Sequence, residues 1–239
     1  MTTDLSSQIQ LHSFPDPAAL AESLAATVAN DLRTALTARG RASLALSGGN
    51  TPKRFLQALS LQPLSWQDVI VTLVDERWVP ESHERSNTRL LRENLLQSAA
   101  AEARFLPLYR DTPEPEQALA GIERDLATLP SPFDAVVLGM GNDGHTASFF
   151  PGGDRLADAL DPTTPSKVLP MRAPDAGEPR ITLTLPPILA ARHLYLHIEG
   201  AEKQRVLEDA VTGNGAGAGY PMRCVLRHAT SPLQVFYSA

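Results

Sequence analysis

A single cysteine, Cys224, stands among 239 residues, so no intramolecular disulfide can form. None is needed, because a chain of this length buries roughly 70% of its unfolded surface on folding. A reducing cytoplasm is the expected compartment. Long hydrophobic runs are also missing. The longest candidate, about Leu185 to Ala191, falls far short of the roughly 20 residues that cross a bilayer, so no membrane association is expected. The stretch Met1 to Gln8 lacks the basic and apolar regions of an export signal. Positive charge is scarce too. Lys and Arg total 21 against 27 Asp and Glu, a formal net charge of −6 without the basic stripe of a nucleic-acid binder. Lysine is the rarest cation: Lys53, Lys167 and Lys203 stand against 18 arginines, so a lysine beside a candidate site is informative.

Hydrophobic spacing supplies the organisation. Leu20, Leu24, Val28, Leu32 and Leu36 recur every fourth residue behind Asp16 and Pro17, which predicts a capped amphipathic helix ending near Gly40. Short apolar runs at 41–46, 68–74 and 134–138, with a weaker one at 105–108, alternate with helical patterns at 53–59, 88–96 and 115–129. Thr51 is the expected cap of the helix at 53. The second half adds runs at 181–185, 193–198, 224–226 and 233–237 and a helix over about 201–211. Such alternation with doubly buried strands predicts an α/β fold with a mostly parallel sheet and helices on both faces. Pro162 to Pro179 reads as an irregular surface connection, and Thr212 to Gly219 as a flexible loop. Neither separates two patterned halves, so residues 1–239 read as one domain, expected to act as a monomer.

Each chemically suggestive cluster follows a predicted strand, and the crevice beyond strand carboxyl ends is where open α/β sheets bind ligands. After the first run come Ser47, Gly48, Gly49, Asn50 and Thr51, which suit a phosphate through free N–H groups, hydroxyls and a helix dipole. The same residues also make a tight turn. After the second come Asp75, Glu76 and Arg77, either a charged strand end or part of a site. After the third comes Gly139-Met-Gly-Asn-Asp-Gly-His145. Its glycine spacing matches a dinucleotide fingerprint formally, but Pro151-Gly-Gly153 cuts off the helix that such a fold requires, so no nicotinamide cofactor is expected. His145 suits a general base, or merely ties the loop together. His193 and His197 are four apart, yet on a strand that separates them by roughly 13 Å, so no metal is expected. The order Ser47, Asp75, His145 resembles a hydrolase triad, but the nucleophile elbow needs glycine where Ala45 stands.

Taken together, Ser47-Gly-Gly-Asn-Thr-Pro52, Asp75-Glu-Arg-Trp-Val-Pro80 with Ser86-Asn87, Leu138-Gly-Met-Gly-Asn-Asp-Gly-His-Thr-Ala-Ser-Phe-Phe-Pro151, Pro179-Arg-Ile-Thr182 and Gly200-Ala-Glu-Lys203 resemble the 6-phosphogluconolactonase family. The resemblance runs over nearly the whole chain. It implies a modified Rossmann-like fold, shared with glucosamine-6-phosphate deaminases. It also implies hydrolysis of 6-phospho-D-glucono-1,5-lactone in the pentose phosphate pathway with no cofactor and no metal. Carried onto this chain, it makes Gly48, Gly49, Asn50, Thr51, Arg180 and Lys203 the phosphate site. His145 becomes the base, Asp143 its orienting partner, Arg77 the oxyanion donor, and Asp75 a group that orients Arg77 or the sugar hydroxyls. A deaminase would carry Glu five residues after the histidine, in the place of Phe150. A non-catalytic sugar-phosphate sensor would be expected to carry a basic head, whereas residues 1–40 hold Asp4, Asp16, Glu22 and Asp31 against Arg33 and Arg39.

Overall fold

A computed structural model of the chain describes residues 3–174 and 176–239. Met1, Thr2 and Asp175, which fall in the N-terminal and proline-rich stretches read above, lie outside the described residues. Ten strands are present among them: β1 (Ile9–Phe14), β2 (Ala42–Leu46), β3 (Val69–Leu73), β4 (Asp75–Arg77), β5 (Arg104–Phe105), β6 (Ala135–Leu138), β7 (Val168–Met171), β8 (Arg180–Leu183), β9 (His193–Glu199) and β10 (Leu233–Ser238). The helices are α1 (Pro17–Arg39), α2 (Lys53–Ser60), α3 (Asn87–Asn94), α4 (Leu119–Leu126), α5 (Leu156–Ala159), α6 (Leu185–Leu189), α7 (Ala201–Thr212) and α8 (Pro221–His228).

Seven strands form one parallel sheet in the order β1-β10-β9-β6-β2-β3-β5. From β2 the chain winds outward through β3 to β5, then returns to lay β6 on the other side of β2. The winding reverses between β2 and β6, and that reversal opens a crevice at their carboxyl ends. Every residue of β2 and of β6 is buried, so both faces of the sheet centre are covered. The fold is therefore α/β with a mostly parallel sheet. α1 begins as its sequence predicts: Asp16 accepts from the N–H groups of Ala18 and Ala19 at 2.9 and 2.8 Å. It ends at Gly40, which adopts the left-handed conformation and bonds Leu36 O. Leu20, Leu24, Val28 and Leu32 are fully buried beneath it.

Several elements depart from the sequence reading. Asp75 to Arg77 is not a mere strand end: it is β4, which pairs antiparallel with β8, and β8 with β7, in a second small sheet. β7 lies inside the proline-rich stretch read as irregular, and all four of its residues are buried. Its Pro170 is tolerated because β7 is an edge strand, where a missing N–H leaves no neighbour unbonded. Residues 224–226 belong to α8 rather than to an apolar strand, and β1 had no predicted counterpart. The glycine-rich stretch is a short 3₁₀ turn at Gly215–Gly219 with Gly217 buried, not a free loop. Thr51 caps nothing: α2 starts after Pro52 without a side-chain cap.

Candidate active site

The crevice between β2 and β6 holds a cleft of about 230 Å³. Its two main walls are the loops that leave these strands, and they are laced together. Ser47 N–H donates to Val137 O at 2.9 Å, and Gly139 N–H donates to Ser47 Oγ at 3.0 Å. Gly48, Gly49, Asn50 and Thr51 line one wall, with Lys203, from the first turn of α7, beside them. Lys203 Nζ donates to Thr51 Oγ1 at 3.1 Å, which ties the lysine to the glycine turn. Burial pulls the Lys203 amine below its ordinary value, against the raising influence of Glu199 and Glu202. With no side-chain cap at α2, the backbone N–H groups of its first turn stay free beside this wall.

The opposite wall carries His145. Its Nδ1 lies 2.5 Å from Asp143 Oδ1, and its backbone N–H donates to the same oxygen at 3.2 Å. An ionised carboxylate only accepts, so in the neutral imidazole Nδ1 carries the proton and Nε2 is left with a lone pair. Burial raises the Asp143 pKa, but the hydrogen bond from His145, and its charge when the ring is protonated, outweigh burial and hold the carboxyl below its ordinary range. The Phe150 ring packs 4.6 Å from the imidazole, centroid to centroid. The dinucleotide-like glycines close a turn through Gly144 N–H to Gly141 O at 3.1 Å and Gly141 N–H to His145 O at 2.9 Å. The next helix is α5, at Leu156, so no helix N-terminus awaits a pyrophosphate there.

The small sheet supplies the third side. Asp75 and Arg77 line the cleft. Asp75 does not reach Arg77: its Oδ2 accepts from Ser148 Oγ at 2.6 Å, while Arg77 Nη1 donates to Arg85 O at 2.6 Å. Between them Glu76 points the other way and is fully buried. Its carboxylate accepts from the N–H groups of Arg77, Asn87 and Thr88 at 2.8, 2.8 and 2.7 Å and thereby anchors the start of α3. Burial pushes its pKa up in spite of those donors. Two expected site residues do not line the cleft: Asp143, which reaches it through His145, and Arg180. Arg180 is 4% exposed, its Nη2 donates to Ala176 O at 2.6 Å, Glu178 lies 3.5 Å from Nη1, and its guanidinium sits 5.6 Å from the Phe150 ring centre.

Three residues that sequence reasoning left without a role are brought to the site. Asn87 donates from Nδ2 to Asp75 O at 2.9 Å and lies over Gly48. Ser148 holds Asp75. His197, weighed above only as a metal ligand, is buried in the cleft wall, with Nε2 3.1 Å from Glu199 Oε1. Its signal in the sequence is its place near the end of a strand that adjoins β6. No three His, Cys, Asp or Glu side chains among the described residues gather as a metal would require, and no helix among them is long and apolar enough to cross a membrane.

A glycine turn and a half-buried lysine facing a histidine–aspartate pair, at the switch point of a parallel sheet, define an α/β protein built to take an anionic small molecule and move a proton on it. The chain belongs to the family of glucosamine-6-phosphate isomerases/6-phosphogluconolactonase, which residues 15–234 match. It is 54% identical over 228 residues to a 6-phosphogluconolactonase of Rhizobium meliloti, covering 95% of this chain and 98% of that one. It is 51% identical to one of Mesorhizobium japonicum, covering 95% and 94%. A crystal structure of a 6-phosphogluconolactonase from Shewanella baltica superposes with a TM-score of 0.94 at 41% identity, covering 99% of this chain and all of that one.

Proposed function

We propose that this chain hydrolyses 6-phospho-D-glucono-1,5-lactone to 6-phospho-D-gluconate, the second step of the oxidative pentose phosphate pathway. The observation that carries the reading is the His145–Asp143 pair, poised with a free Nε2 in the same cleft as the Gly48–Thr51 turn and Lys203. Relatives named 6-phosphogluconolactonase at 54% and 51% identity support it. The phosphate lies against the N–H groups of Gly48, Gly49, Asn50 and Thr51, and the Lys203 ammonium supplies charge.

His145 Nε2 takes a proton from water as the water oxygen attacks C1. Arg77 donates to the oxyanion that develops, and such a donor contributes about 3 to 4 kcal/mol. The tetrahedral intermediate collapses by breaking the bond from C1 to the ring oxygen, and the imidazolium returns its proton to that oxygen, which leaves as a hydroxyl. Asp143 fixes the tautomer. Asp75, held by Ser148, orients sugar hydroxyls. Arg180 acts from behind, supporting Phe150 and the Ala176 turn. A δ-lactone is an activated ester, so a positioned base worth about 10²- to 10⁴-fold suffices without a metal or cofactor. The enzyme is read as a cytoplasmic monomer of one domain, residues 1–239.

The test is the rate of loss of freshly generated 6-phosphoglucono-1,5-lactone at neutral pH, with chelator present, against the spontaneous rate. Acceleration that survives the chelator is expected. A rate equal to background would overturn the reading, and ammonia release from glucosamine-6-phosphate would then point to a deaminase-like isomerase. Binding of sugar phosphate without either turnover would point to a non-catalytic sensor.

A further inference from the structure

The glycine-rich stretch after α7 has no part in the chemistry above, yet it is built against the catalytic loop. We propose that Tyr220, at the end of this stretch, is a positioning residue for His145, its ring fixing the Gly141–His145 turn from behind. The proposal rests on the reading of His145 as the base.

The contact is made through Gly144, which immediately precedes His145. A Cβ built on Gly144 would fall 2.3, 2.6 and 2.8 Å from Tyr220 Cγ, Cβ and Cδ1, so the tyrosine stem and ring edge occupy the space beside that α-carbon. The residue's φ of +73° is also one that side chains rarely adopt. Met222, fully buried in α8, donates its N–H to Gly144 O at 3.0 Å, so ring and backbone grip the same residue. At the start of the turn, a Cβ on Gly141 would fall 2.2 Å from His145 Cε1 and 2.7 Å from Asp143 Oδ1. The turn is thus packed close at both glycines, against the base and its carboxylate at Gly141 and against Tyr220 at Gly144.

Tyr220 is itself held. Its N–H donates to Gly217 O at 3.2 Å, and a Cβ on Gly217 would fall 2.1 Å from Asp209 O near the end of α7. α7 begins beside the phosphate wall with Lys203 and ends against this brace. One path of contacts therefore joins the lysine helix to the base loop, and at Gly144 and Gly141, which have no side chains to take up slack, a displacement passes to the imidazole. Misplacing a base by about 1 Å costs of the order of 100-fold in rate.

The experiment measures kcat and KM for the phosphorylated lactone, above the spontaneous rate, in Tyr220→Ala, Tyr220→Leu and Tyr220→Phe, with Tyr220→Ala also made in a His145→Ala background. Tyr220→Ala is expected to lose about 10- to 100-fold in kcat with KM within about twofold, and Tyr220→Phe to recover most of the loss because ring atoms make the contact. In the His145→Ala background the same change is expected to cost nothing further, since a brace for an absent base has nothing to hold. An unchanged kcat in Tyr220→Ala, or an equal loss in both backgrounds, overturns the proposal. Full turnover in His145→Ala alone overturns the base assignment first, so the two failures are told apart. Should the alanine variant lose its circular dichroism, Tyr220→Leu, which keeps the bulk but not the plane, carries the same comparison.

Discussion

The amide of Asn87 lies directly on the α-carbon of Gly48: a Cβ at position 48 would fall 1.9 Å from Asn87 Oδ1. Asn87 cannot retreat, because Nδ2 is bonded to Asp75 O and its backbone N–H to buried Glu76. The glycine is thus required by a neighbour as well as by the proposed phosphate site. Gly48→Ala is expected to push the turn into the space the phosphate would fill, raising KM about tenfold or more with a smaller change in kcat. Adding Asn87→Gly should recover part of the affinity, since it removes the clash. Steady-state kinetics of the two variants check this, and a Gly48→Ala enzyme with unchanged KM would sink the packing argument.

What the chain disclosed in advance depended on how local the signal was. α1 was legible to its caps because Asp16, Pro17, Gly40 and a four-residue leucine spacing all lie within one element. β2, β3 and β6 were legible as apolar runs, and their ends marked the crevice, which is why Gly48, Thr51, Arg77 and His145 stood out. β4 was hidden because it is three residues long, highly charged, and separated from β3 only by Val74. β7 was hidden by Pro170, which speaks against a strand unless the strand is known to be at an edge. The contacts of Asn87 with Gly48, of Ser148 with Asp75 and of Tyr220 with Gly144 join segments that are distant in the chain, and no periodicity encodes them. Arg180 is the converse case: its place in a family-like block suggests the phosphate, while its local contacts, Nη2 to Ala176 O and the guanidinium over Phe150, are ones the sequence pattern does not encode.

Lys203 gives a pH signature. Burial lowers its pKa, so as pH rises the free enzyme loses the ammonium earlier than an exposed lysine would. Affinity for the phosphate should therefore weaken on the alkaline side, beginning below the usual lysine range. The lactone is itself labile in base, so the measurement is calorimetric binding of the stable product, 6-phosphogluconate. Lys203→Arg should abolish the alkaline weakening, because a guanidinium stays charged throughout, although its different shape weakens binding at every pH. Lys203→Ala should cost about 10- to 100-fold in affinity at neutral pH. An alkaline limb that persists unchanged in Lys203→Arg would assign the titration to another group.

Glu76 offers a test of how the site is held up. Three backbone N–H groups, from Arg77, Asn87 and Thr88, end on its fully buried carboxylate, and these residues carry the cleft's arginine and the amide over Gly48. Glu76→Ala strands those donors, and each buried unsatisfied donor costs about 1 to 3 kcal/mol. The variant should be less stable by about 3 kcal/mol or more, and any folded enzyme should show a raised KM from the shift of Asn87 and a lowered kcat from the shift of Arg77. The sign of the pH dependence follows from the raised pKa. Between the ordinary glutamate range and the raised value, the folded state binds more protons than the unfolded one, so the wild type loses stability as pH rises through that window. The alanine variant has no such group. The gap between the two proteins in urea unfolding should therefore be widest at low pH and narrow as pH climbs through the raised value. A gap that widens with rising pH would mean that the three N–H donors outweigh burial, and that Glu76 holds α3 as a stabilised carboxylate.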